Sequence, residues 1–85
     1  MKKIIITGGN GFIGSNLVNF LLRKKFFIIN IDKSTYAKKS FLLRDINSKN
    51  YRFYKFDINS KKIFKIFKKY KPAAIFNLAA ETHVD

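Results

Sequence analysis

Two rhythms of apolar residues alternate along this chain. Residues 2–7 carry the unbroken β-branched run Ile4-Ile5-Ile6 and stop at Gly8, the pattern of a strand buried on both faces. Residues 12–25 switch to helical spacing, with Ile13, Leu17, Phe20 and Leu21 on one stripe and Val18 and Leu22 widening it. Arg23-Lys24-Lys25 then places positive charge where a helix dipole is negative. Residues 26–31 read as a second strand ended by Asp32, and residues 51–56 as a third ended by Asp57. Between them Ser34-Thr35-Tyr36 reads as loop, residues 40–46 as a short helix and Asn47-Ser48-Lys49-Asn50 as a turn. Beyond Asn59 and Ser60, either of which can cap a helix, Ile63, Ile66, Phe67 and Tyr70 recur at i, i+3, i+4 and i+7. Lys68, Lys69 and Lys71 crowd the last turn and Pro72 stops it. Residues 74–80 read as a fourth strand.

Strand and helix thus alternate. This predicts an α/β fold of four parallel strands joined by right-handed crossovers, with helices on both faces. Eighty-five residues make one small domain at most, and a core of that size is marginal without help. A hydrophobic content of 47% and an aromatic content of 16% argue against disorder. There is no cysteine, so disulfides and thiolate metal sites are excluded and a reducing compartment is compatible. His83 is the single histidine and builds no metal site without carboxylates, so no metal is expected. The first apolar run falls short of the ~7–15 residues of a signal-peptide h-region. Nothing approaches the ~20 apolar residues of a membrane span. The expectation is a cytoplasmic protein with no membrane partner.

The formal charge of +13 raises nucleic acid or an anionic membrane as partners. Two features weaken that reading. Lys, Ile, Asn, Phe and Tyr, the types with A/T-rich codons, make up 49 of 85 residues, so base composition alone would raise lysine. The basic residues are also scattered from Lys2 to Lys71. Nucleic-acid binding is therefore not the leading expectation.

The stretch TGGNGFIG, between the first strand and the first helix, carries the chemistry. Gly8, Gly11 and Gly14 follow the spacing G-x-x-G-x-x-G. Gly8 allows a sharp turn out of the strand, Gly11 lets backbone approach a pyrophosphate, and Gly14 lets the helix pack tightly on the sheet. The helix then aims its unpaired N–H groups at the phosphates. Any tight turn can hold three glycines; here an acid also ends the next strand. Asp32 lies 18 residues beyond Gly14, close to the ~20 of a dinucleotide-binding unit. Its carboxylate can accept both hydroxyls of an adenosine ribose and repels a 2′-phosphate, which favours NAD over NADP. Lys33 beside it softens that preference.

Acids are scarce, so their places are informative. Of the five, Asp32, Asp57 and Glu81 each fall just past a predicted strand, and Asp85 lies a few residues beyond the last; Asp45 is the fifth. That carboxyl-terminal edge is where ligands bind in doubly wound sheets. Acids also cap helices at the same edge. For Asp57 both readings stand: a cap ahead of the second helix, or, with Ile58, a border of the adenine.

TGGNGFIGSN, then DKSTYA at 32–37, FDI at 56–58 and LAAETHVD at 78–85 follow one another at intervals that resemble the N-terminal part of an extended short-chain dehydrogenase/reductase. More narrowly the chain resembles the dTDP-glucose 4,6-dehydratases, through DKSTYA and AAETHVD. The resemblance spans essentially the whole chain, but only about the first quarter of such an enzyme. It implies a partial Rossmann fold with strand order 3-2-1-4, NAD as cofactor, and dTDP-glucose and a homodimer for the full-length enzyme. It places the backbone of Phe12 and Ile13 against the pyrophosphate, and Asp32, Lys33, Ser34 and Thr35 around the adenosine ribose. Asp57 and Ile58 would edge the adenine. Leu78, Ala79, Ala80, Glu81 and Thr82 would pass under the nicotinamide half, with Thr82 also near the sugar. His83 and Asp85 belong to the same motif without an assigned catalytic role. The chain departs from the family pattern at Ser34 (usually leucine), at Lys38-Lys39, at Phe56 where glycine is usual, and at Asn77 where histidine is frequent. The Phe56 ring is expected to crowd the adenine pocket.

The family reaction oxidises the sugar at C4, eliminates water across C5 and C6 and returns the hydride to C6. It needs a Tyr-x-x-x-Lys pair and an acid–base pair. Tyr51 and Lys55 have that spacing, but on a predicted strand, where a catalytic role is not expected. The catalytic and substrate-binding remainder is absent, so the chain is expected to hold NAD without doing the chemistry. A fourth strand left as an edge, with Ile75 and Phe76 uncovered, is expected to favour aggregation. A reading from another class is a non-catalytic basic binding module on the same half-Rossmann scaffold, with nucleic acid as its polyanion.

Overall fold

The computed structural model describes residues 1–33 and 49–78. Four strands, β1 (Lys3–Thr7), β2 (Phe27–Asp32), β3 (Tyr51–Lys55) and β4 (Ala74–Asn77), form one sheet in the order β3-β2-β1-β4. Every pairing is parallel, with Ile5 opposite Ile29 on one side and Ile75 on the other. Two helices, α1 (Phe12–Arg23) and α2 (Lys62–Tyr70), complete the Rossmann-type α/β arrangement. The expected short helix at 40–46 and the expected end of the fourth strand at 79–80 lie outside the described residues.

The alternation of β1 and β2 splits the core in two. Ile4, Ile6 and Ile28 point to one face and pack with Val18, Leu21 and Leu22 of α1 and with Tyr51. Ile5, Ile29 and Ile31 point to the other and pack with Ile63, Ile66 and Tyr70 of α2. Each such buried aliphatic side chain is worth roughly 1.5–3 kcal/mol, and the central strands β1 and β2 supply six of them.

Several boundaries differ from the expected ones. The buried face of α1 runs through Gly14, Ser15, Val18, Asn19, Leu21 and Leu22. Ile13, expected on the stripe, is 71% exposed, and Phe20 is also exposed. The face is rotated because α1 must put Gly14, not Ile13, against the glycine loop. The helix also stops at Arg23 instead of Lys25. Lys25 takes a left-handed conformation (φ 72°), with its N–H donated to the Leu22 carbonyl and that of Phe26 to the Leu21 carbonyl. This is a Schellman ending, made without the usual glycine, with Phe26 packed against the core cluster that includes Leu21. At α2, Ser60 Oγ accepts the Lys62 N–H at 3.1 Å, and Asp57 Oδ1 accepts the Asn59 N–H at 2.9 Å, so both polar residues organise the helix entry. Lys71 closes α2 at φ 48° ahead of Pro72.

β4 is the thin side of the sheet. It pairs with β1, yet all four of its residues are exposed. Ile75 and Phe76 are 47% and 40% exposed, as expected for an edge strand.

Candidate functional site

The carboxyl-terminal ends of the four strands converge on one depression of about 610 Å³. Gly8, Gly11, Ile31, Asp32 and Lys33 line one side of it; Phe56, Asp57, Ile58, Asn59, Asn77 and Leu78 line the rest. The glycine loop, the acid that closes β2 and the segment after β3 thus share one cavity, although they are far apart in sequence.

The three spaced glycines do different work. Gly8 has φ 80°, a conformation that costs glycine little, and its N–H is donated to the Ile31 carbonyl at 2.8 Å. Gly11 is the residue before α1 and gives the helix no side-chain cap. A Cβ there would touch only the Gly8 carbonyl oxygen, at 3.6 Å, so the loop stays open above Gly11. Gly14 is buried, and a Cβ there would sit 2.2 Å from the Gly8 oxygen and 2.8 Å from Gly9 Cα. It therefore sets the closeness of helix and loop and does not line the cavity. Phe12 and Ile13 follow Gly11 in the first turn of α1 with their side chains exposed. The N–H groups of that turn have no carbonyl within the helix to take them, which makes the turn an anion-receptive edge.

Asp32 is the last residue of β2 and is half-buried. Its Oδ2 accepts the Asn10 N–H at 2.9 Å, which joins the acid to the glycine loop. Across the cavity Asp57 is exposed, while Ile58 and Phe56 are partly buried and packed on the α2-side core. Phe56 thus lines the cavity and also packs against the core. On the β4 side, Thr7 Oγ1 donates to Asn77 Oδ1 at 2.6 Å, and the Leu78 N–H is donated to the Thr7 carbonyl at 2.9 Å.

Of the site residues expected from sequence, Gly8, Gly11, Asp32, Lys33, Asp57, Ile58 and Leu78 line the same cavity. Phe12, Ile13 and Gly14 lie in the adjoining helix start. Ser34, Thr35, Ala79, Ala80, Glu81 and Thr82 lie outside the described residues, as does His83. Ile31, Asn59 and Asn77 line the cavity without having been expected there. Asn30, buried behind the loop, was also missed; its signal is a single amide in the apolar stretch FIINID.

Tyr51 and Lys55 occupy β3 as expected. Tyr51 is buried, and its hydroxyl accepts a hydrogen bond from Asn30 Nδ2 at 2.9 Å. Burial pushes this hydroxyl above its ordinary range, against the pull of the Asn30 bond and with a further push from Asp32. A tyrosine that loses its proton this reluctantly is unsuited to act as a base. Among the described residues no group of three His, Cys, Asp or Glu is placed to hold a metal, and no helix is long and apolar enough to cross a membrane.

The chain is similar to known proteins in sequence and in fold. A family model described as GDP-mannose 4,6 dehydratase matches residues 5–85. The dTDP-glucose 4,6-dehydratase of Haemophilus influenzae is 47% identical over 88 residues, covering 100% of this chain and 26% of that protein. The Salmonella typhimurium enzyme of the same name is 48% identical over 86 residues, covering 98% and 24%. Among solved structures, the dTDP-glucose 4,6-dehydratase of Bacillus anthracis, in complex with NAD, superimposes with a TM-score of 0.82 at 36% identity, over 95% of this chain and 27% of that one. The Bordetella bronchiseptica enzyme WbmH, in complex with NAD+, gives 0.82 at 28% identity, over 96% and 27%. The chain spans about a quarter of the length of the curated relatives it matches. The match over residues 5–85 and these identities show that the chain belongs to the GDP-mannose 4,6-dehydratase family, with dTDP-glucose 4,6-dehydratases among its relatives.

Proposed function

We propose that this chain is the NAD-holding segment of a nucleotide-sugar 4,6-dehydratase whose substrate is dTDP-glucose, and that it does not catalyse the reaction alone. One observation carries the reading: Gly8 and Gly11, Asp32, and Asp57 with Ile58 line a single cavity at the carboxyl-terminal edge of the sheet. The residues present fit a dinucleotide. The surface above Gly11 is open to a pyrophosphate, and the first turn of α1 supplies N–H donors from Phe12 and Ile13. Asp32 and Lys33, with Ser34 and Thr35 outside the described residues, would hold the adenosine ribose, Asp32 as the acceptor for its hydroxyls. Asp57 and Ile58 would border the adenine, and Phe56 lines the same cavity beside them. Leu78, with Ala79, Ala80, Glu81 and Thr82 outside the described residues, would serve the nicotinamide half, and Thr82 the sugar as well.

Bound there, NAD supplies the hydride acceptor and donor of a dehydration without net redox change. The chain's own contribution is to bind and orient. Its one Tyr-x-x-x-Lys spacing, Tyr51 to Lys55, supports inactivity in isolation, because the tyrosine is buried in β3 with its hydroxyl engaged by Asn30.

Titration of the chain with NAD and NADP tests the reading. Saturable NAD binding is expected, with weaker NADP binding, and Asp32→Ala is expected to lower NAD affinity about tenfold or more, the scale of losing charge-assisted hydrogen bonds. Equal binding by Asp32→Ala and the parent chain would overturn it. So would salt-sensitive binding to any polyanion with no NAD response.

A further inference from the structure

We propose that Asn30, anchored by Tyr51, is the latch that holds the glycine loop in the shape that receives the dinucleotide; its link to NAD rests on the function proposed above. Asn30 lies in the middle of β2 and is fully buried among isoleucines. A carboxamide in such a place is costly unless its polar atoms are paired. Here the pairs reach outward to two other elements. Asn30 Oδ1 accepts the Gly9 N–H at 2.9 Å. Asn30 Nδ2 donates to Asn10 Oδ1 at 3.0 Å and to the Tyr51 hydroxyl at 2.9 Å. The loop is therefore gripped at two successive residues, and the grip is fastened to β3.

This accounts for Gly9, the glycine that the G-x-x-G-x-x-G spacing leaves unexplained. A Cβ on Gly9 would lie 2.2 Å from Asn30 Oδ1 and 2.5 Å from its Cγ. Gly9 is bare because the amide of Asn30 occupies that space. The consequence passes on to the site. With Gly9 and Asn10 held, the Asn10 N–H meets Asp32 Oδ2 at 2.9 Å, and Gly11 follows with its N–H donated to the Gly8 carbonyl at 3.2 Å. Asp32 and the open backbone at Gly11 are thereby set relative to each other before any ligand arrives, which lowers the ordering cost of binding. Asn30 does not line the cavity and acts through the loop it holds, so it is a positioning residue.

The test compares the parent chain with Asn30→Ala and Tyr51→Phe by amide hydrogen exchange without ligand and by NAD titration. In Asn30→Ala the Gly9 and Asn10 amides are expected to exchange about tenfold faster relative to the Ile5 and Ile29 amides, and NAD to bind about tenfold more weakly. A role in general stability alone would speed all four amides together. Tyr51→Phe removes one hydroxyl and keeps the ring, and is expected to shift both readouts the same way by about two- to fivefold. It decides the question if Asn30→Ala fails to fold. Gly9 and Asn10 amides that keep their protection in a folded variant, or unchanged NAD affinity in that variant, would overturn the latch. A parent chain that ignores NAD while its Gly9 amide still depends on Asn30 would overturn the cofactor reading alone and leave the latch standing.

Discussion

Gly11 and Gly14 sit three residues apart and face opposite demands. Gly14 is pinned between helix and loop with backbone atoms inside contact distance of any added carbon, and backbone cannot move aside as a side-chain end can. Gly14→Ala is expected to lower stability by about 1–3 kcal/mol through overpacking, read as a fall in the denaturant midpoint. Gly11→Ala meets only one oxygen at ordinary contact distance, so its cost should stay near that of a poorer cap, about 1 kcal/mol or less. NAD affinity should nonetheless fall tenfold or more, because the methyl group projects where a pyrophosphate must lie. Equal stability losses in the two variants would contradict this division of labour. The glycine spacing and Asp32 were legible in the sequence because turn geometry and ribose recognition each demand a residue type at a set distance. Asn30 was not, because its three partners come from the loop and from β3, and nothing local to FIINID announces them.

At the scale of elements, hydrophobic periodicity placed α2 well and α1 less well. The inner face of α2, from Ile63 to Tyr70, packs chiefly on Ile5, Ile29 and Ile31 of the sheet. The face of α1 answers to the sheet and to the loop at its start, and the loop turned Ile13 outward. The end of α2 is tied to β3 by the hydroxyls of Tyr70 and Tyr54, 2.6 Å apart. Burial, then the Tyr54 hydrogen bond, raise Tyr70 from its ordinary 10.0 to about 12. A proton held more tightly in the folded chain than in the unfolded one stabilises the fold in full below the unfolded value. That stability is lost as pH rises through the folded value. The stability of the parent chain should therefore decline between about pH 10 and pH 12 more steeply than that of Tyr70→Phe, which keeps the ring and has no proton to lose. Parallel stability curves for the two across that window would show that the tyrosine pair does not tie α2 down.

For the whole molecule, the alternation of elements was enough to foresee a parallel sheet, because short crossovers of one hand leave few alternatives. The segment 34–48 carried no comparable periodicity, and its short-helix expectation lies outside the described residues. β4 presents Ile75 and Phe76, with Leu78 just beyond its end, as exposed apolar side chains at the sheet's edge. Such an edge is a template for pairing with another copy. The chain is expected to self-associate with rising concentration in sedimentation velocity. Ile75→Lys combined with Phe76→Lys should return it towards monomer, although the net charge of +13 already opposes association at low salt. A monomer across the full concentration range at moderate salt would count against the edge as a contact.

The central position of β1 also orders events in time. Its pairing with β2 joins Ile4 to Ile28, whereas its pairing with β4 joins Ile4 to Ala74. The first closes a loop already filled by α1; the second must gather nearly the whole chain before any contact rewards it. The β1–α1–β2 unit is therefore the natural nucleus, and β4 the last strand to arrive. By the same reasoning β4 is the first to leave in partial opening. The part of the cavity built on the glycine loop and Asp32 is then expected to outlast the part built on Asn77 and Leu78.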